Sequence, residues 1–292
     1  MSFVHKDLDC SMVYDSNNSV PTFIGAGATK SGSSWLFSIL SNHDDVYAPF
    51  KEVRYFTHNL EKGANWYKSL FEGGADYKHC GEFTPSYLYN PDIPKIIAKE
   101  MPWVKLIFIL RNPVRRSYSQ FKSNFNTGLA KSKDFKIYLN ENPLSLQRGY
   151  YYKHLQPWLE EFPSSQIKIF IFEEAISDLT SFRRELSEFL DLDVSGFSME
   201  ALNKKQNVSD APRLKSIYKM GWRISQYAAK HQLYGVSKFI NRSGSRFFSF
   251  IGPSKEGAPP LEQSHYDELI KLYESDISEL SSLLGRDASI WN

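Results

Sequence analysis

Apolar residues in this chain come in short, nearly unbroken runs separated by longer stretches of mixed pattern. The clearest run, Val104-Lys105-Leu106-Ile107-Phe108-Ile109-Leu110, has the character of a parallel strand covered on both faces. Ile167-Lys168-Ile169-Phe170-Ile171-Phe172 reads as a second strand and Pro21-Thr22-Phe23-Ile24-Gly25 as a third. Each leads into helical sequence. Trp35 to Leu40 follows the Pro21 strand, with Ser33 or Ser34 near its cap. Asn112 and Pro113 suit the cap and first position of a helix after Leu110. Residues 180–190, with Phe182, Leu186 and Phe189 on one side, follow the Ile167 strand. A long amphipathic helix is expected near 261–284. This alternation predicts an α/β fold: a single domain with a central, mostly parallel sheet flanked by helices. Residues 1–20 are polar and aperiodic and read as a flexible arm ahead of a domain spanning 21–292.

Between Asp210 and Lys255 the pattern shifts, with one acidic residue against nine Lys or Arg. Lys215, Lys219 and Arg223 recur every fourth residue and would form one basic stripe on a helix. Residues 208–253 are therefore read as a basic helical insertion. Two readings stay open for it: a solvated face, or a lid meeting an acidic ligand or an acidic membrane surface.

Composition narrows the class. Hydrophobic residues make up 41%, charged residues 23% and aromatics 15% of the 292 residues, an ordinary globular balance with ample bulky material for a core. The net charge of +2 argues against a nucleic-acid partner held by a large positive field. Two cysteines, Cys10 and Cys80, exclude a disulfide scaffold and a Cys-rich metal site. No run reaches the length of a transmembrane segment and no secretory leader is evident, so a cytoplasmic protein is expected. Oligomeric state is not legible.

Candidate chemistry begins at Gly25-Ala26-Gly27-Ala28-Thr29-Lys30-Ser31-Gly32-Ser33-Ser34-Trp35. A strand feeding a small-residue turn into a helix aims backbone N–H groups and the positive helix end at an anion. Two better-known motifs fail. A nucleoside-triphosphate loop needs Gly where Thr29 stands, and a dinucleotide fingerprint needs Gly where Lys30 stands. The strand at 104–110 also ends in Arg111 rather than a metal-binding Asp, so a magnesium-dependent nucleotidase is disfavoured and no metal is expected. Ligands of open α/β sheets bind outside the carboxyl ends of the strands. Arg111 and the 30–34 loop can share that edge and suit a ligand with two separated phosphates. Arg115 and Arg116 read as solvated helix residues.

TKSGSSWL at 29–36 resembles the 5′-phosphosulfate loop of sulfotransferases that use 3′-phosphoadenosine 5′-phosphosulfate (PAPS), in the form of the cytosolic branch. FILRNPVRRSYSQF at 108–121 resembles the family's 3′-phosphate element. Phe50-Lys51-Glu52-Val53-Arg54-Tyr55-Phe56 and Gly81-Glu82-Phe83-Thr84-Pro85-Ser86-Tyr87 resemble segments of the heparan sulfate 3-O-sulfotransferase and bacterial branches. Gly149-Tyr150-Tyr151 and the region from Gly285-Arg286 fit as well.

The resemblance implies a sulfotransferase variant of the P-loop-kinase-like fold. It implies PAPS as donor, 3′-phosphoadenosine 5′-phosphate (PAP) as product, and in-line transfer to an acceptor hydroxyl or amine. Lys30 would neutralise the leaving phosphate oxygen, and Ser31, Gly32, Ser33 and Ser34 would supply donors to the sulfuryl group. Arg111 and Ser119 would hold the 3′-phosphate, and Lys255 would be a further cofactor contact. Trp35 either stacks on adenine or packs in the core. Glu52 is the implied base; His43, His58 and His79 are rivals outside matching motifs. The Lys51-Glu52 pair reads alternatively as a surface ion pair. Arg54, Glu82 and Phe83 fall on the acceptor side, where Arg54 and Phe83 depart from the glycan branch, so heparan sulfate is not assumed. Glu82 either orients Lys30 or the substrate, or is a buried structural acid. Glycans, lipid headgroups and small natural products remain open as acceptors. The competing class is a non-catalytic module binding a nucleotide or sulfated ligand on the same fold.

Overall fold

The computed structural model describes residues 20–203, 257–285 and 291. The expected arm up to residue 19, the 208–253 insertion and Lys255 lie outside the described residues. Val20, assigned to the arm from sequence, is fully buried. In chain order the elements are β1 (Phe23–Gly27), α1 (Ser33–Leu40), β2 (Val46–Tyr47), α2 (Tyr55–His58), α3 (Gly63–Ser69), β3 (His79–Phe83), α4 (Ile93–Glu100), β4 (Lys105–Leu110), α5 (Pro113–Asn126), α6 (Phe135–Glu141), α7 (Pro143–Gln147), α8 (Tyr151–Glu161), β5 (Ile167–Ile171), α9 (Phe172–Ser177), α10 (Leu179–Leu190), α11 (Met199–Asn203), α12 (Gln263–Leu272) and α13 (Glu274–Leu284). They group into two compact units, one of residues 1–112, 150–206 and 275–292, the other of 113–149 and 207–274.

The first unit carries a five-stranded sheet in the order β2-β3-β1-β4-β5, parallel throughout. This is the α/β class expected from the alternation of runs. The apolar run at 104–110 fills an inner strand: from Leu106 to Leu110 every residue of β4 is buried. Ile107 and Ile109 join Phe23, Trp35, Ile39, Phe170, Phe182 and Leu186 in one core cluster. Phe108 meets Trp158 of α8 edge-on, at 5.3 Å between ring centroids. β3 was not foreseen as a strand, because His79-Cys80-Gly81-Glu82-Phe83 lacks an apolar run. Phe83 nevertheless lies over Gly25 so closely that a Cβ there would come within 2.3 Å of its ring. α10 starts at Asp178, whose carboxylate accepts from the N–H groups of Thr180 and Ser181.

The second unit packs α5, α6 and α12 around Phe121, Phe125, Phe135, Tyr138 and Leu139, with Leu261 and Leu269 against them. Arg116 corrects the expectation of a solvated residue: it is fully buried and donates to the Ser145 carbonyl and, at 2.9 Å, to the Ser117 hydroxyl. Arg115 is exposed, as expected, and lies over the Tyr266 ring. The long C-terminal helix is two helices parted at Tyr273. That residue's N–H closes a tighter turn onto Ile270 O, and its buried hydroxyl donates to Leu146 O at 2.8 Å.

Candidate active site

The carboxyl ends of β3, β1 and β4 lie side by side, and each opens into a segment with candidate chemistry. Connections leave β1 toward β3 and β4 toward β5, so the edge between β1 and β4 is a topological switch point, where open α/β sheets bind ligands. After β1 the chain turns through Lys30, at φ 65°, and Gly32, at φ 101°, into α1. Gly32 is required twice over. Its backbone is left-handed, and a Cβ would come within 2.4 Å of the Phe172 ring. The turn delivers the start of α1, with its unsatisfied N–H groups, next to the side chains of Ser33 and Ser34.

Lys51 adds a second cation that sequence reasoning did not assign. Its ammonium donates to Ser34 Oγ at 2.6 Å and to Ser33 Oγ at 3.2 Å. Burial lowers it to about 8, with Glu52 opposing the shift and Lys30 adding to it. The serines expected to face an anion therefore also hold a lysine. Lys51 and Glu52 are not the ion pair considered from sequence. Glu52 turns instead to Arg54, whose Nε and Nη2 both donate to Oε2, at 2.9 and 2.7 Å.

The Glu52–Phe56 segment is held from below by a buried acid. Glu82 accepts from Tyr67, from Thr84 at 2.8 Å and from Tyr87 at 2.7 Å, and is fully buried. Thr84 Oγ1 also accepts from the N–H of Arg54, at φ 56°, and Tyr87 Oη from the N–H of Phe56. Burial pushes the Glu82 carboxyl up, although the three hydroxyls pull it back. Burial, followed by the charge of Glu82, raises the Tyr67 and Tyr87 phenols well above their ordinary value. Of the two alternatives weighed for Glu82, the structure supports the buried structural acid, so its acceptor-side assignment is corrected. Phe83 is corrected likewise: with 0% exposure, it packs edge-on against Phe23 and Phe37 and offers no surface to an acceptor. Arg54 is half-exposed beside Glu52.

At the end of β4, Arg111 lays its guanidinium over the Phe172 ring, 5.3 Å from the centroid, with Nε 3.8 Å from Glu173 Oε1. Glu173 also accepts from the Asn112 N–H at 3.2 Å and from the Trp291 indole at 3.1 Å. The Tyr151 hydroxyl donates to the Arg111 carbonyl at 2.7 Å and lies 3.4 Å from the Ser31 hydroxyl. Neither Glu173 nor Trp291 was foreseen. Tyr151 had a signal, since it belongs to a segment already compared with the family. Ser119 lies on α5, partly exposed, in the second unit.

Trp35 is a core residue. Its ring packs on Phe182 at 4.9 Å and Phe172 at 5.9 Å, and its indole N–H donates to Leu202 O at 3.0 Å. Adenine stacking on it is thereby set aside. Among the rival bases, His43 is buried, accepting from the Asp45 N–H and bonding Asp193 O at 2.8 Å. His79 bonds Thr22 at the amino end of β3 and is pulled down to about 4 by burial and by Lys105 and Lys78. His58 is lowered by burial and by Arg54, with Glu61 and Glu52 opposing. His58 feels the charges of both Arg54 and Glu52. Among the described residues no group of three or more His, Cys, Asp or Glu could hold a metal ion, and no helix is long and apolar enough to cross a membrane.

A five-stranded parallel sheet with a small-residue turn carrying Lys30 after β1 and an arginine after β4 defines an α/β protein with cationic side chains at the carboxyl ends of two neighbouring strands. The sulfotransferase domain family matches residues 21–222, and the chain belongs to that family. The match runs into the segment read as an insertion. Over 190 residues the chain is 29% identical to heparan sulfate glucosamine 3-O-sulfotransferase 3A1 of Mus musculus, covering 61% of this chain and 47% of that protein. It is 30% identical over 201 residues to bifunctional heparan sulfate N-deacetylase/N-sulfotransferase 1 of Caenorhabditis briggsae, covering 61% of this chain and 23% of the relative. The chain thus spans less than half the length of these curated relatives. The crystal structure of a sulfotransferase from Alicyclobacillus acidocaldarius shares the fold, with a TM-score of 0.64 at 21% identity, covering 93% of this chain and 98% of that one.

Proposed function

We propose that the protein transfers a sulfuryl group from PAPS to an acceptor hydroxyl or amine. The observation that carries this reading is the pair of cationic strand ends: Lys30 beside Lys51 and the α1 serines after β1, and Arg111 after β4. A left-handed glycine, hydroxyl donors and ammonium groups suit a phosphosulfate better than a neutral ligand. The donor supplies a sulfuryl group whose S–O bond to the 5′-phosphate breaks as the acceptor oxygen or nitrogen bonds to sulfur.

The residues divide the remaining work. Lys30 opposes the negative charge that builds on the leaving phosphate oxygen. Ser31, Ser33, Ser34 and the N–H groups at the start of α1 hold the sulfuryl end, and Arg111 holds the 3′-phosphate. Glu52 accepts the acceptor's proton. Both Arg54 contacts fall on Oε2, so Oε1 is the oxygen assigned to that proton. Arg54 fixes the carboxylate and faces the acceptor. Relatives named for heparan sulfate make a glycan the first acceptor to try.

The test is a split in kinetics. Lys30→Ala should lower turnover by about a hundredfold or more. Arg111→Ala should act mainly on donor affinity, by roughly tenfold or more. Glu52→Gln should bind donor normally and lose most turnover. Normal PAP affinity in Arg111→Ala would remove the 3′-phosphate assignment, and retained turnover in Glu52→Gln would move the base to His58.

A further inference from the structure

Lys51 is given no chemical role of its own above, yet its ammonium is held by two hydroxyls of α1. It lies next to Glu52 in sequence but turns away from it, into the α1 serines. Two further contacts hold its segment there: Lys51 pairs in parallel with Phe83 at the end of β3, and Asn59 donates to Val53 O at 2.8 Å. Its hydrogen bonds go to hydroxyls rather than to a carboxylate, and its electrostatic neighbours include a second lysine, Lys30. A partly buried ammonium set beside another cation is costly unless an anion is to be bound between them. The pattern of protons is also directional. Because Ser33 and Ser34 accept from Lys51, their own O–H protons remain available to donate to an oxyanion.

We propose that Lys51 is a second catalytic cation of the donor site, gripping the sulfuryl–phosphate end of the donor together with Ser33 and Ser34. The assignment rests on the sulfotransferase reading. The 5′ end of the donor is a phosphate joined to a sulfate, and breaking the bond between them adds negative charge to the phosphate; two lysines match that load where one does not. The same segment delivers Lys51 to the donor and Glu52 to the acceptor, so one anchored stretch of chain sets the distance between leaving group and base. The charged groups facing Lys51 are Lys30 from the loop after β1 and Glu52 beside it.

Binding measures this without knowledge of the acceptor. Calorimetric titrations of the full chain would use adenosine 3′,5′-bisphosphate and adenosine 3′-monophosphate, which lacks the 5′ group. Lys51→Met should weaken the bisphosphate by about tenfold or more and leave the monophosphate nearly unchanged, and Lys51→Arg should restore most of the loss. The wild type needs no substitution for a second test. Its bisphosphate affinity should fall as pH rises through about 8, where Lys51 loses its proton, and Lys51→Arg should move that fall to higher pH. Unchanged bisphosphate affinity in Lys51→Met, or a flat wild-type profile across that range, would overturn the role of Lys51 and leave the sulfotransferase reading standing. Failure of the wild type to bind the bisphosphate would overturn both.

Discussion

The phenol of Tyr151 donates to the main-chain carbonyl of Arg111 at 2.7 Å and stands 3.4 Å from the side chain of Ser31. One hydroxyl thereby ties the turn after β4 to the loop after β1, the two strand ends assigned to opposite ends of the donor. Trp291, whose indole is bonded to Glu173, packs against the same tyrosine at 5.9 Å between centroids.

Tyr151→Phe keeps the ring and removes the tie. PAP affinity should fall by about three- to tenfold, the loss of a neutral hydrogen bond, with the thermal midpoint little changed. Titration calorimetry checks this; equal affinity in the two proteins would show that the strand ends are set independently.

Glu82 gathers the three hydroxyls of Tyr67, Thr84 and Tyr87 beneath the segment that carries Glu52. Removing it leaves the hydroxyls of Tyr67, Thr84 and Tyr87 without their shared acceptor inside the protein. Glu82→Ala should cost about 2–4 kcal/mol and lower the melting temperature by several degrees. Glu82→Gln, which keeps an acceptor oxygen, should cost less. Both should reduce turnover more than PAP affinity, because the hydroxyls anchor the segment bearing Glu52. A loss of PAP affinity without loss of turnover would contradict that role.

How much of this was legible in the sequence depended on the kind of contact. β4 and β5 were readable because strands covered on both faces must be apolar nearly throughout. β3 was hidden because its centre is Gly81-Glu82, and the acid is tolerated only through three hydroxyls supplied by residues 67, 84 and 87. The small-residue turn after β1 was visible as a local pattern. Lys51 was not, since its partners lie 17 and 18 residues upstream and its neighbour Glu52 offered an obvious false partner. Trp35 was ambiguous for the opposite reason: an aromatic at an apolar helix start serves a ligand or a core equally well until Phe172, Phe182 and Leu202 are seen around it.

Stability should depend on pH through His79. Its folded-state pKa of about 4 lies below the ordinary 6.5, so between those values the unfolded chain binds the proton that the folded chain refuses. The stabilisation is complete above the ordinary value and is lost as pH falls toward the folded one. Melting temperature should therefore drop across that window, and the drop should be shallower in His79→Gln. Parallel curves for the two proteins would remove His79 as the cause.

A site that transfers a sulfuryl group must yield a sulfated acceptor. Mass spectrometry of a mixed panel of glycans, lipids and small alcohols and amines, incubated with PAPS and the wild-type protein, tests it most directly. An acceptor should gain one SO3 group with matching release of PAP, and that product should be lost in Glu52→Gln. Tight binding of PAPS and PAP with no sulfated product from any hydroxyl or amine would contradict it and identify a binding module instead.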